Sequence, residues 1–272
     1  MRNLEKAIII AEIANTENLP LETIQLDVID GRSVKEAIDK IVAEGNRIDV
    51  LVNNAGYGLF GSIEDLSMEE IKAQFETNFF GVIRVTQKVL PIMGKQNSGT
   101  IVNLSSVGGR VGVPVLSAYQ STKFALEGLS ESLSFELEPF GIRVVIVEPG
   151  FIRINIMKSS IMAKKAADRK SPYFSLMQNV ENHFKSMMDN PTTSQPKEVA
   201  NVILQAISSE NPQLRYTAGK KKHVRFAVSQ FNKATVPIPV ARSVTLLPIT
   251  YILKEGAITP IAKYCISPNN QN

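Results

Sequence analysis

The chain is poor in the residues that build staples and metal centres. Cys265 is the only cysteine, which excludes an internal disulfide framework and a cysteine-based metal site. Two histidines, His183 and His223, are too few for a histidine-rich metal site and read as ordinary surface residues, so no metal is expected. No glycine precedes Gly31. The apolar run over residues 7–11 is short and sits among acidic residues, unlike a signal peptide. The most membrane-like stretch, 234–253, contains Pro237, Pro239, Pro248 and Arg242 and would make a poor spanning helix. A soluble, cytoplasmic protein is the expectation.

What is present is an ordinary globular composition. The chain has 272 residues, 44% hydrophobic and 21% charged, enough for one sizeable core. The net charge of +4 is mild and partly local, in Lys220, Lys221, Lys222 and Arg225. That cluster reads first as a solvated loop. Its second reading is peripheral contact with an anionic membrane surface, supported by the apolar C-terminal tail that follows. Nucleic acid is not expected, because no aromatic platform accompanies the charge.

Periodicity places the elements. Residues 3–18 carry apolar side chains at helical spacing, ended by Asn15, Asn18 and Pro20. Residues 23–28 alternate as a short strand. Ser33, with Glu36 three residues on, predicts a capping box over a helix from 34 to 43, stopped by Gly45. Residues 50–52 and 100–104 are apolar runs of the kind buried on both faces of a sheet. Ser67 and Glu70 predict the cap of a long helix over 68–93. A helix follows over 117–137, then a strand over 143–147 closed by Pro149-Gly150. Further on, a helix is predicted over 196–209 and a last strand near 214–217. Alternating strands and helices imply a parallel sheet, an α/β doubly wound architecture, with ligands at the carboxyl ends of its strands. Asp27, residues 53–56, Ser105 and Ser106, and Pro149 with Gly150 all fall there. Residues 151–194, rich in Met, Phe, Lys and Ser, are expected to form a lid. The core domain spans 1–218, and 219–272 form a basic, Pro-punctuated extension.

The chemistry is concentrated in Ser106, Tyr119 and Lys123. Tyr119 and Lys123 are four apart and share a helix face. A phenol beside an ammonium can give and take a proton, and a nearby hydroxyl can hold an oxygen that changes charge. Asn53-Asn54-Ala55-Gly56, Asn78, Ser106, Tyr119-x-x-x-Lys123 and Pro149-Gly150 occur in one order at suitable spacings. On these motifs the chain resembles the short-chain dehydrogenase/reductase family over about residues 1–218. Ser106-Val107-Gly108-Gly109 and the run from Phe124 to Leu129 are most similar to members acting on hydroxysteroids and retinoids.

The resemblance implies roles. Tyr119 would be the general acid/base, Lys123 would lower its pKa and meet the nicotinamide ribose, and Ser106 would position the substrate oxygen. Asn78 would hold a water linking Lys123 to solvent. Asp27 and Val28 would hold the adenine, and Asn53, Ala55 and Gly56 would line the adenosine side. Pro149, Gly150 and Ile152 would meet the nicotinamide carboxamide, and Arg2 the 2′-phosphate of NADP, with NAD as the second choice of cofactor. Ile154 stands where the family often has threonine. The family's glycine-rich strand–helix–strand unit has no counterpart before Asp27, so the fold is expected to lack the first two strands, and Met1 is expected to be an internal methionine of a longer reading frame. The implied activity is hydride transfer between NAD(P) and a small apolar alcohol or carbonyl, in a homo-oligomer. The alternative is a truncated non-catalytic fragment or binding protein.

Overall fold

A parallel four-stranded sheet carries the structure. The computed structural model describes residues 8–18, 20–153 and 160–219. In chain order these form α1 (Ile8–Thr16), α2 (Gly31–Gly45), β1 (Val50–Asn53), β2 (Leu59–Phe60), α3 (Met68–Phe75), α4 (Gly81–Gln96), β3 (Gly99–Leu104), α5 (Ser117–Leu137) and β4 (Ile142–Pro149). Then come β5 (Ile161–Met162), α6 (Phe174–Asp189), α7 (Pro196–Ser208) and β6 (Arg215–Ala218). The main sheet has the order β1-β3-β4-β6, all parallel, and β2 pairs with β5 in a separate two-stranded sheet. Arg2, Ile154 and residues 220–272 of the basic tail, with His223 and Cys265, lie outside the described residues.

Side-chain alternation explains why helices cover both faces. Ile101 and Val144 point to one face, where they pack with Val34 and Ile38 of α2, Val85, Val89 and Met93 of α4, and Leu137 of α5. Val102, Leu104, Val145 and Val147 point to the other, against Ala206 and the partly buried Val199, Val202 and Ile203 of α7. Each fully buried aliphatic side chain contributes about 1.5–3 kcal/mol. Strands apolar on both faces therefore sit in the middle, as β3 and β4 do.

Helix ends follow local chemistry, with one correction. Ser67 and Glu70 form the expected capping box on α3, at 3.2 and 2.8 Å. On α2 the cap is Asp30, not Ser33: Arg32 N–H donates to Asp30 Oδ1 at 2.8 Å, and the helix starts three residues earlier than the expected 34. Ser33 Oγ instead accepts from Asp27 N–H at 3.0 Å, while Glu36 pairs with Arg32 at 2.8 Å. The helix closes on Asn46 in the left-handed region (φ 55°) rather than on Gly45.

Two other expectations are revised. Residues 23–28 are not a strand, because no described strand lies beside them; Leu26 and Val28 pack against the α2/α4 core instead. The long helix of 68–93 is present but broken into α3 and α4 by a π-helical turn, Glu76–Phe80. Such a turn inserts an extra residue into the helical repeat and is often found at functional sites. Here it carries Asn78, 1% exposed, into the interior.

A polar ladder crosses the platform below the strand ends. Asn53 Nδ2 donates to Asn103 Oδ1 at 2.9 Å and to Thr86 Oγ1 at 3.2 Å, and Asn103 Nδ2 donates to Ser130 Oγ at 2.8 Å. It ties β1, β3, α4 and α5 together through buried amides, each costly to leave unpaired. Replacing Asn103 by leucine should therefore lower stability by about 1–3 kcal/mol, read as a fall in the urea midpoint at unchanged m-value. An unchanged midpoint would show that the ladder contributes nothing net.

Candidate active site

Strand ends, loops and one helix face supply the site. Beyond β3 the chain passes through Ser105 and Ser106 into a single 3-10 turn, Val107–Gly109. Ser106 is extended (φ −169°) and its Oγ accepts from Gly108 N–H at 3.0 Å, so the hydroxyl caps the turn. The turn lies against α5: a Cβ added at Gly108 would stand 3.6 Å from Tyr119 Cε1. Tyr119 and Lys123 occupy consecutive turns of one face of α5. Lys123 Nζ donates to the Leu104 carbonyl at 2.7 Å and stands 5.8 Å from the centroid of the Tyr119 ring. The ammonium is thus bound to the end of β3 and faces the phenol.

Burial sets the electrostatics. It lowers the Lys123 pKa to about 8, and the Glu127 carboxylate one turn further on works in the opposite direction. Burial also pushes the Tyr119 phenol above its ordinary value, while the Ser106 hydroxyl beside it pulls downward. The chain by itself therefore keeps the Tyr119 phenol protonated at neutral pH.

Asn78 reaches the site from the π-helical turn. Its Oδ1 accepts from Tyr57 N–H at 3.0 Å, and its Nδ2 donates to the Tyr57 carbonyl at 2.9 Å and to Thr122 Oγ1 at 3.3 Å. Thr122 Oγ1 donates in turn to the Tyr119 carbonyl at 2.6 Å. Asn78 thus joins the loop after β1 to the helix of Tyr119 and Lys123. Gly56 packs closely here: a Cβ would sit 3.1 Å from Asn78 Oδ1.

These groups open onto a crevice of about 770 Å³ at the carboxyl ends of the strands. Gly56, Ser106, Tyr119, Lys123, Pro149, Gly150 and Ile152 line it together. Pro149–Ile152 are fixed by Gly150 N–H donating to the Ala218 carbonyl at 2.9 Å and by a bridge between Ile152 and Ser194. The hydroxyl of Ser105, buried without a hydrogen-bond partner, also belongs to the lining. The polar groups at this end fit the nicotinamide half of a dinucleotide. Asn53 turns its side chain into the polar ladder, and Val52 and Asn54 rather than Asn53 and Ala55 line the crevice beside Gly56. Asp27 and Val28 stand elsewhere. Asp27 Oδ1 accepts from Ile29 N–H at 3.3 Å, and the Val28 carbonyl accepts from Arg84 Nη1 at 2.5 Å, so both build the turn before α2.

The rest of the crevice is apolar. Phe60 and Phe184 meet edge to face at 5.4 Å, Phe151 packs on Phe184 at 5.2 Å, and Val113, Leu116, Met187 and Ile203 complete the wall. A smaller hollow of about 140 Å³ shares Phe60, Ser160 and Phe184 with it and is lined further by Met162 and Met177. His183 lines the main crevice from α6, a correction of the surface reading. Its place was encoded in the spacing of α6, where Val180, His183, Phe184 and Met187 recur at helical intervals.

The chain is similar to known proteins in sequence and in fold. A sequence profile described as short chain dehydrogenase matches residues 1–165. An uncharacterised oxidoreductase of Bacillus subtilis (strain 168) is 40% identical over 225 residues, covering 80% of this chain and 79% of that protein. Human 17-beta-hydroxysteroid dehydrogenase type 1 is 38% identical over 202 residues, covering 72% and 60%. Among solved structures, a short-chain dehydrogenase from Streptomyces avermitilis superposes with a TM-score of 0.72 at 32% identity, covering 86% and 82%. The protein ElxO with NADP bound superposes with a TM-score of 0.65 at 28% identity, covering 80% and 84%.

The buried lysine has a consequence for stability. Its pKa of about 8 in the folded chain lies below its ordinary 10.5, so folding releases a proton between those values and stability rises with pH there. Relative to Lys123→Met, the native chain should gain about 3 kcal/mol between pH 8 and 10.5, measured by denaturant midpoints. A difference independent of pH would show that Lys123 titrates normally.

Proposed function

From membership in the short-chain dehydrogenase family, to which this chain belongs, we propose that it is an NAD(P)-dependent oxidoreductase acting on an apolar alcohol or carbonyl compound. The observation that carries the reading is the seating of Lys123 on the Leu104 carbonyl with the Tyr119 ring above it and Ser106 capping the adjoining turn. The NADP-bound relative supports NADP as cofactor, with NAD as the second choice. Lys123, Pro149, Gly150 and Ile152 would hold its nicotinamide half, which supplies the hydride.

The chain's own residues manage the proton. In the reductive direction Tyr119 Oη gives its proton to the carbonyl oxygen, which the Ser106 hydroxyl holds in place. In the oxidative direction the same oxygen takes the proton back. A phenol with a pKa raised by burial is a weak acid, so the Lys123 ammonium is needed to favour the phenolate left behind. Asn78 acts through Tyr57 and Thr122, holding the crevice wall to the catalytic helix. The apolar wall and the hollow behind Phe60 and Phe184 favour an extended apolar substrate, and methionine at Met162, Met177 and Met187 adapts to shape. Exposed Phe124 and Phe135 on α5 provide apolar surface for self-association.

Fluorescence titration with NADPH tests the reading. Binding in the micromolar range with turnover of apolar ketones is expected. The Tyr119→Phe variant should bind NADPH as well as the native chain and lose at least ~100-fold in kcat. Full activity in that variant would overturn the acid/base role. No NADPH binding by the native chain would favour the alternative of a non-catalytic binding protein.

A further inference from the structure

The site has a buried charge that the chemistry above does not use. Glu127 follows Lys123 by one helical turn on α5 and is only 6% exposed. Its Oε2 accepts from Arg215 Nε of β6 at 3.0 Å, while its Oε1 is buried without a hydrogen-bond partner. On the preceding turn, Lys123 Nζ carries three N–H donors and uses one, on the Leu104 carbonyl. An orphaned carboxylate oxygen and an under-used ammonium therefore occupy consecutive turns of one helix. Resting on the oxidoreductase reading for the role of Lys123, we propose that Glu127 is a positioning residue that favours the charged form of the Lys123 ammonium facing Tyr119, with Arg215 holding Glu127 in place.

Glu127 shares its surroundings with several other charges. The charged and titratable groups facing this region are Tyr119 and Glu127 on α5, Arg110 after the 3-10 turn, Glu148 at the end of β4 and Arg215 on β6, while His183 of α6 lines the same crevice. Glu148, equally buried, takes Arg110 at 2.8 Å, and Arg110 stands 3.9 Å from Glu127. Arg215 reaches Glu131 at 2.8 Å with its other nitrogen. Neither arginine covers Glu127 Oε1. Glu127 also lies directly under the Ser106 turn: a Cβ at Gly109 would stand 3.1 Å from Glu127 Cγ and 2.8 Å from Ser105 Oγ. The network thus fastens the serine loop, the catalytic helix and the strand that leads into Pro149 and Gly150. A purely structural ion-pair cluster would do that much and leave the titration of Lys123 alone, which separates the two roles.

The test is competitive acetylation of the full chain from pH 6 to 11, with mass spectrometry reading the midpoint for Lys123. The native midpoint is expected near 8. Glu127→Gln, which keeps size and an acceptor for Arg215, should lower it by about one pH unit, and Glu127→Asp should restore most of the shift. Arg215→Met retains the Glu127 carboxylate, so the midpoint should stay or rise. An unchanged midpoint in Glu127→Gln, or an equal fall in Glu127→Gln and Arg215→Met, would overturn the proposal. If Glu127→Gln does not fold, Glu127→Ser replaces it: a midpoint lowered by about one pH unit supports the proposal, and an unchanged midpoint overturns it. NADPH-dependent turnover is measured on the same samples. A native chain with a midpoint near 8 but no turnover would count against the oxidoreductase reading and leave the counterion result standing.

Discussion

An ammonium removed from water sets the terms for the crevice end of this fold. Lys123 is 7% exposed, and an unpaired charge at such a site costs several kcal/mol. The Leu104 carbonyl can receive it because the β3–β4 ladder ends there, at Leu104 and Val147, where the chain turns away into Ser105. The position of α5 over the sheet is therefore fixed by charge as well as by packing. Tyr119 comes to the crevice because it lies one turn before that lysine.

The sheet beneath makes the arrangement rigid. Its two apolar faces hold β3 and β4 between layers of helices, while the Asn53–Asn103–Ser130 ladder prevents sliding of β1 or α5 along β3. A fully satisfied buried polar chain specifies register more strictly than interchangeable aliphatic contacts do. Preorganisation of this kind is what a proton-transfer site needs, since donor and acceptor must already be aligned when charge moves. The π-helical turn belongs to the same logic. An extra residue in the repeat turns the Asn78 amide inward, where it clamps Tyr57 and Thr122.

Much of this was legible in the sequence, for identifiable reasons. The helix over 117–137 agrees to the residue, and β1, β3 and β4 agree to within one or two, because buried runs such as Ile101–Leu104 and Val144–Val147 have few other uses. Ser106, Tyr119 and Lys123 come together as helical spacing and strand-end position require. Their chemical roles rest on the family pattern. Three features were not legible. Local capping competition decided the start of α2, where Asp30 outcompeted Ser33 because Ser33 is engaged by Asp27. A strand cannot be read from alternation alone over 23–28, since pairing requires a neighbour. Ion pairs such as Glu127–Arg215 join residues 88 positions apart, and no periodicity links them.

The crevice around Tyr119 and the turn before α2 differ in how their polar groups are spent. Around Tyr119 the Lys123 ammonium, the Ser106 hydroxyl and the Asn78 amide have fixed directions, set by the carbonyl of Leu104, the cap at Gly108 and the clamp at Tyr57. Asp27 and Val28, by contrast, spend their backbone groups and one carboxylate oxygen on the turn before α2. Groups fixed beside the reacting oxygen act on the transition state and so on kcat. Groups that touch only remote parts of a ligand act on affinity. The described residues are thus built most completely where proton transfer would occur. Glu127 lies on that side of the division: a carboxylate behind the lysine touches no ligand, so its influence is confined to the charge that Tyr119 faces.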